Sequence, residues 1–192
     1  MRLSRETIHY VRSLIAVTLV AAAEAVCQER QAETGRRTES ARSLRRIVVS
    51  IPDRKLALIE GERVIRIYSA AVGAPSSPTP AGTYKIVLRV SNPTWYGPDQ
   101  VVGPGKNNPV GTRWIGLSRK GYGIHGTNNP GSIGRNASHG CVRMRNGDVE
   151  DLFHRVEVGD VVELHAERDA EITRIFRVTE IAANTMSAGG SQ

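Results

Sequence analysis

A chain of 192 residues predicts one domain with tails, long enough to bury a single core. Hydrophobic content of 40% with 23% charged residues is that of an ordinary globular protein, and aromatics at 5% leave Val, Ile, Leu and Ala to build the core. The net charge of +7 suits a polyanionic surface, but no Lys/Arg run is interleaved with aromatics, which argues against nucleic acid as the partner.

Residues 1–27 read as a secretory signal peptide. Arg2, Arg5 and Arg12 precede an apolar run from Leu14 to Ala23, and Ala23-Glu24-Ala25 offers an Ala-x-Ala cleavage site. The run is too short for a comfortable permanent span, so no stable membrane span is expected after processing. An N-terminal anchor, or lipidation at Cys27, is the alternative. Cleavage leaves 23 basic against 17 acidic residues, a charge of +6, and places the protein outside the cytoplasm, in the periplasm or cell wall. Residues 28–44, QERQAETGRRTESARSL, have almost no apolar content and are expected to form a disordered leader.

From Arg45 the pattern becomes that of strands. RRIVVSI is β-branched, and KLALIE and RVIRIYSAAVG flank Glu60-Gly61-Glu62, a plausible hairpin turn. SSPTPAG opens a further strand, TYKIVLRV. Residues 91–113 form a long loop-rich insert, and a loop of that length in a compact domain is usually functional or mobile. WIGLS and GYGIHG supply two short strands. The one clear helix follows: Asn146 can cap it, Asp148, Glu150 and Asp151 load its first turns, and Val149, Leu152, Phe153 and Val156 recur at helical spacing. VEVGDVVEL closes a mostly β domain at 45–165. The C-terminal tail, 166–192, holds a weak amphipathic stretch at Ile172, Ile175 and Phe176 and ends in SAGGSQ.

The chemistry concentrates in IHGTNNPGSIGRNASHGCVRM, residues 124–144. Once Cys27 is removed, Cys141 is an unpaired thiol in an oxidising compartment, which points to a reactive role or intermolecular pairing. A thiol attacks as thiolate, so it needs a nearby imidazole to take its proton and a third group to orient that imidazole. His125 ends a predicted strand and Cys141 ends the loop after it, so one fold-back brings them together. SHGC, Ser138 to Cys141, gathers the backbone N–H groups of His139, Gly140 and Cys141 around the nucleophile as candidate oxyanion donors, and Gly140 can adopt a backbone shape closed to other residues. His125, His139 and Cys141, with distant His154, match no compact zinc spacing, so no metal is expected.

HGTNNPGSIGRNASHGCVRM resembles the active-site signature of the L,D-transpeptidase catalytic-domain family (YkuD-type): a His, a spacer, then Ser/Thr-His-Gly-Cys-x-Arg. PTPAGTYKI, NPTWYGP and GPGKNNPVGTRWIGLS resemble other parts of the same domain, so the likeness runs from about Ile47 to Leu164. The resemblance implies an L,D-transpeptidase-type β-sandwich with one clear helix after the catalytic cysteine. It implies Cys141 as nucleophile, His125 as its base and the Gly126 carbonyl as the group orienting the imidazole. It places the oxyanion at Ser138, His139 and Gly140, and keeps His139 as a rival base in a supporting position. It gives Arg143 a substrate carboxylate, against a structural salt bridge to Asp148 or a neighbour, and the reaction it implies needs no cofactor. The implied partners are peptidoglycan stem peptides, a donor tetrapeptide and an acceptor amine, handled by a monomer that makes 3→3 cross-links. A cysteine carboxypeptidase of the same fold and a binding module without catalysis are the competing readings.

If residues 1–27 are a cleaved leader, N-terminal sequencing of the protein recovered outside the cytoplasmic membrane will begin near Val26. An intact Met1, or purely cytoplasmic fractionation, excludes that reading.

Overall fold

The structure, a computed structural model, describes Gln28, Arg30, Gln31, Glu33 and residues 45–177. The signal peptide expected at 1–27 lies outside the described residues, as does 178–192 of the tail. Of the leader expected to be disordered, the four described residues are helical and exposed, in keeping with the high helix propensity of Gln, Arg and Glu. They belong to a unit spanning Met1–Ser43, separate from the unit that begins at Leu44.

Among the described residues, twelve strands build the second unit. They are β1 (Arg45–Ser50), β2 (Lys55–Glu60), β3 (Arg63–Ser69), β4 (Val72–Gly73), β5 (Gly82–Ser91), β6 (Trp95–Tyr96), β7 (Val101–Val102), β8 (Arg113–Leu117), β9 (Gly123–His125), β10 (Asn136–Ser138), β11 (Val142–Arg143) and β12 (Val161–His165). Eight of them form one sheet in the order β11-β9-β8-β5-β12-β1-β2-β3, while β10 pairs with β4 and β6 with β7. The β1–β12 and β9–β11 pairs are parallel and the other pairs of the large sheet are antiparallel. The turn between β2 and β3 falls where the sequence puts it, with Gly61 at φ 61°.

The apolar runs of β1 and β2 lack a polar alternation because both faces are covered. Ile47, Val49, Leu56 and Leu58 enter the main core, while Val48, Ala57 and Ile59 point to the other side, as the two-residue side-chain period requires. The helix α1 (Asn146–Arg155) covers the main core through Val149 and Leu152, followed by Val156. Its C-terminal carbonyls face arginines, Arg45 donating to Arg155 O at 2.5 Å and Arg89 to Phe153 O, which is where a helix dipole favours cations. Its start corrects the sequence reading: Arg145 occupies the cap position, no side chain caps the helix, and Asn146 is its first residue with its side chain directed elsewhere.

Residues 170–177 form a second helix, α2, where the sequence shows only a weak amphipathic stretch. Ile172, Ile175 and Phe176 pack on Val48, Ala57 and Ile59 and so bury the second face of the sheet. Asp169 Oδ1 accepts from the Ile172 N–H at 2.8 Å, capping α2, and Arg46 bridges Glu163 at 2.7 Å and Glu171 at 2.6 Å.

The long insert is ordered by one buried side chain. Asn108 Nδ2 donates to Pro93 O at 2.7 Å, Gly103 O at 3.1 Å and Val102 O at 3.3 Å, and its Oδ1 accepts from Val110 N–H at 2.9 Å. The small β6–β7 ribbon carries Trp95 and Tyr96, which line a cleft together with Leu88 and Val90 of β5 and Trp114 of β8.

Phe176 is 1% exposed, so Phe176→Ala removes the largest side chain of the second core. It should cost about 3–5 kcal/mol, read as a lower urea midpoint with an unchanged slope.

Candidate active site

Three short strands set the site by their register. Trp114 of β8 pairs with His125 of β9, and His125 pairs with Arg143 of β11. Ile124 and Val142, the neighbours in sequence, are buried in the main core. The alternation therefore sends Trp114, His125 and Arg143 to the opposite face, together with Cys141, two residues before Arg143. All four line one cleft of about 860 Å³, whose other wall is apolar: Leu88, Val90, Trp95, Pro109 and Val110, with exposed Tyr96 at the mouth.

His125 is 5% exposed, and its Nδ1 lies 2.6 Å from Gly126 O. A carbonyl only accepts, so Nδ1 carries the hydrogen and Nε2 is left as the basic nitrogen. The backbone around it is held from both sides, Gly126 N–H donating to Arg113 O at 3.2 Å and Met144 N–H to His125 O at 2.8 Å. Asn146, reaching back from the start of α1, accepts from Thr127 N–H at 2.9 Å and Thr112 N–H at 3.4 Å. A Cβ at Gly126 or Gly111 would stand 2.2 or 2.1 Å from that oxygen, so glycine at both places lets the amide enter. Asn146 is thus a clamp on the turn that carries the Gly126 carbonyl.

Cys141 is a partly buried free thiol whose Sγ donates to Gly121 O at 3.6 Å. Ser138, 2% exposed, shapes the loop before it: its hydroxyl donates to Cys141 O at 2.5 Å and accepts from Gly140 N–H at 3.2 Å. Gly140 adopts φ 103°, and a Cβ there would come within 2.8 Å of the Tyr122 ring. The Gly140 amide is accordingly spent on Ser138, leaving those of His139 and Cys141 without an acceptor among the described residues. The His139 side chain is exposed. Arg143 Nη1 donates to Ser132 Oγ at 3.1 Å rather than pairing with Asp148, and its Nε is buried without a partner.

Burial dominates the titration of both reactive groups. It holds the His125 imidazole down, to about 4, with the Gly126 carbonyl opposing and the Arg143 charge adding to the effect. Burial pushes the Cys141 thiol up, while the Gly123 backbone and the Arg143 guanidinium pull it back. The resting pair at neutral pH is therefore thiol and neutral imidazole, and the thiolate forms only as the imidazole takes the proton.

Among the described residues no three or more His, Cys, Asp or Glu groups gather as a metal site, and His154 on α1 does not line the cleft. Among the same residues no helix is long and apolar enough to cross a membrane. Two residues at the site escape a sequence reading, Trp114 and the clamp Asn146. For Trp114 the signal is present: counting outward from the Arg119-Lys120 turn places it opposite His125.

A mostly β domain that opens such a cleft over Cys141 and His125 has the fold of the L,D-transpeptidases. An L,D-transpeptidase from Mycobacterium smegmatis superimposes with a TM-score of 0.55 at 23% identity, over 64% of this chain and 59% of that one. The catalytic domain of the Enterococcus faecium L,D-transpeptidase does so with a TM-score of 0.53 at 25% identity, over 63% of this chain and 96% of that one. The profile of the YkuD family, the L,D-transpeptidase catalytic domain, matches residues 44–164, and the chain belongs to that family. The L,D-transpeptidase-family protein YqjB of Bacillus subtilis is 38% identical over 118 residues, 59% of this chain and 66% of that protein. YkuD of Bacillus licheniformis is 42% identical over 119 residues, 62% of this chain and 64% of that protein. The chain thus spans just under two thirds of the length of these relatives.

The depressed imidazole sets the acid limb of the site. Nε2 can accept the thiol proton only while His125 is neutral, so reactivity at Cys141 should persist well below the ordinary histidine value and fall as pH drops through about 4. Rates of thiol alkylation against pH measure this, and an acid limb near 6.5, the unperturbed histidine value, would contradict the buried environment.

Proposed function

We propose that this protein is an L,D-transpeptidase that forms 3→3 peptidoglycan cross-links through a thioester on Cys141. The observation that carries the proposal is the 2.6 Å bond from His125 Nδ1 to Gly126 O, which leaves Nε2 as the basic nitrogen in the cleft that the Cys141 thiol also lines. Its sequence supports action as an exported monomer in the periplasm or cell wall, without a cofactor.

The reaction follows from the groups present. His125 Nε2 removes the Cys141 proton as Sγ attacks the carbonyl between the third-position diamino acid and the fourth-position D-Ala of a stem tetrapeptide. The amides of His139 and Cys141 donate to the oxygen that becomes negative, in a loop held by Ser138 and Gly140. The C–N bond breaks, the imidazolium protonates the leaving amine, and D-Ala departs, leaving the tripeptide as a thioester. The side-chain amine of a second stem attacks the thioester carbonyl and returns the sulfur, while His125 takes the amine proton. The thioester conserves the energy of the broken peptide bond. Arg143, with a buried Nε lacking a partner, suits a substrate carboxylate.

Incubation with a stem tetrapeptide should give released D-Ala, a tripeptide adduct on Cys141 and cross-linked dimer by mass spectrometry. Cys141→Ala should abolish the adduct, and His125→Ala should lower turnover by roughly 10²- to 10⁴-fold, whereas His139→Ala retains measurable activity. Tripeptide without dimer would replace the transferase reading by a carboxypeptidase. An adduct that survives Cys141→Ala would overturn the covalent mechanism.

A further inference from the structure

Two glycines face each other inside the large sheet, Gly116 on β8 and Gly123 on β9. Glycine within a strand gives up side-chain packing and marks a close approach. Here the approaching group is the Trp114 indole. A Cβ on Gly123 would lie 2.7 Å from Trp114 Cζ2 and one on Gly116 3.0 Å from its Nε1, so the ring rests on a floor of two missing side chains. From that floor it meets the His125 imidazole, with centroids 5.5 Å apart and planes 21° from parallel.

The imidazole has a demanding task. Taking the Cys141 proton makes it a cation at a buried position where its register neighbour Arg143 already carries a positive charge. Besides Arg143, the other titratable groups lining the cleft are Cys141, the exposed His139 and the exposed Tyr96 at its mouth, and no Asp or Glu lines it. Besides the thiolate that the same transfer creates, negative potential comes from the Gly126 carbonyl and from an aromatic face, and a π-face attracts a cation most strongly when water is excluded.

We propose that Trp114 is a positioning residue for proton transfer, its indole face holding the His125 ring in plane and stabilising the imidazolium that forms when Nε2 takes the Cys141 proton. The proton moves from Sγ to Nε2, yielding thiolate and imidazolium with no further reactant. This rests on reading His125 as the base of Cys141.

The test is alkylation of Cys141 in the full chain by iodoacetamide, followed from about pH 5 to pH 10, a range that brackets the unperturbed His and Cys values. The parent should show a neutral plateau, set by the fraction of thiolate–imidazolium pair, and an alkaline limb where hydroxide removes the thiol proton without help. The ratio of plateau to limb cancels any change in access to the thiol. Trp114→Leu should lower that ratio about tenfold, and Trp114→Phe by a smaller factor of about three, the order expected of the two aromatic faces. A ratio unchanged in both variants, or rates reduced by one common factor at every pH, would make Trp114 merely a wall of the cleft and overturn the proposal. Where Trp114→Leu does not fold, Trp114→Phe decides alone: a lowered ratio supports the proposal and an unchanged one overturns it. His125→Ala separates the two readings. Loss of its plateau upholds the base assignment whatever Trp114 shows, and a surviving plateau overturns that assignment and this proposal with it.

Discussion

A β-strand shows successive side chains to opposite faces, and in β9 this constraint divides three residues between packing and chemistry. Ile124 faces the main core while Gly123 and His125 face the cleft, and β11 repeats the division with Val142 against Cys141 and Arg143. The reactive pair therefore sits on the back of residues that cannot move without opening the core. A one-residue slip of β11 would bury Arg143 and expose Val142, so the hydrophobic core enforces the register on which the site depends. The glycine floor and the clamp at Asn146 are refinements of a placement that the pleat has already made.

The same burial that fixes the imidazole works against its ionisation. A neutral histidine is inexpensive to bury and a charged one is not, so the site keeps the proton on sulfur at rest. Bond making and proton transfer are then coupled: sulfur becomes a strong nucleophile only in the encounter that uses it. A thiol kept protonated at rest is also protected, since reaction with oxidants follows thiolate character. Arg143 acts on both members of the pair in opposite senses, favouring the thiolate and disfavouring the imidazolium.

Much of this was legible in the residues. The strands around Ile47 and Ile86, the α1 face of Val149, Leu152 and Val156, and the placing of His125 and Cys141 across one loop follow from periodicity and from the chemistry a lone thiol requires. The failures have physical causes. A polar residue before a helical pattern reads as a cap, but Asn146 finds stronger donors in the amides of Thr127 and Thr112, offered by a turn distant in sequence. Of the helix at 170–177 the sequence shows only Ile172, Ile175 and Phe176 as an apolar face, too few for a period to stand out, and its clearest trace lies in β1 and β2, whose apolar runs require a cover on both faces. SHGC suggests three free amides, but the middle one, that of Gly140, donates to the Ser138 hydroxyl, a side chain of the same loop. Trp114 reads as a strand residue, and its place opposite His125 emerges only from the pairing register across the hairpin.

Asn108 carries a consequence of another kind. Its carboxamide ties Pro93, Val102, Gly103 and Val110 at a single buried point, whereas β6 and β7 meet through only two residue pairs. The segment between Pro93 and Asn108 is therefore a closed chain loop fastened at its base, and its outer turn bears no part of the fold. The entropy of closing such a loop grows only with the logarithm of its length, so doubling it costs about 0.6 kcal/mol. The wall of the cleft can be lengthened, shortened or rewritten beyond the knot while the sheet, the thiol and the imidazole keep their places. In a lineage of such domains, the shape of the cleft can drift at this loop without touching Cys141 or His125.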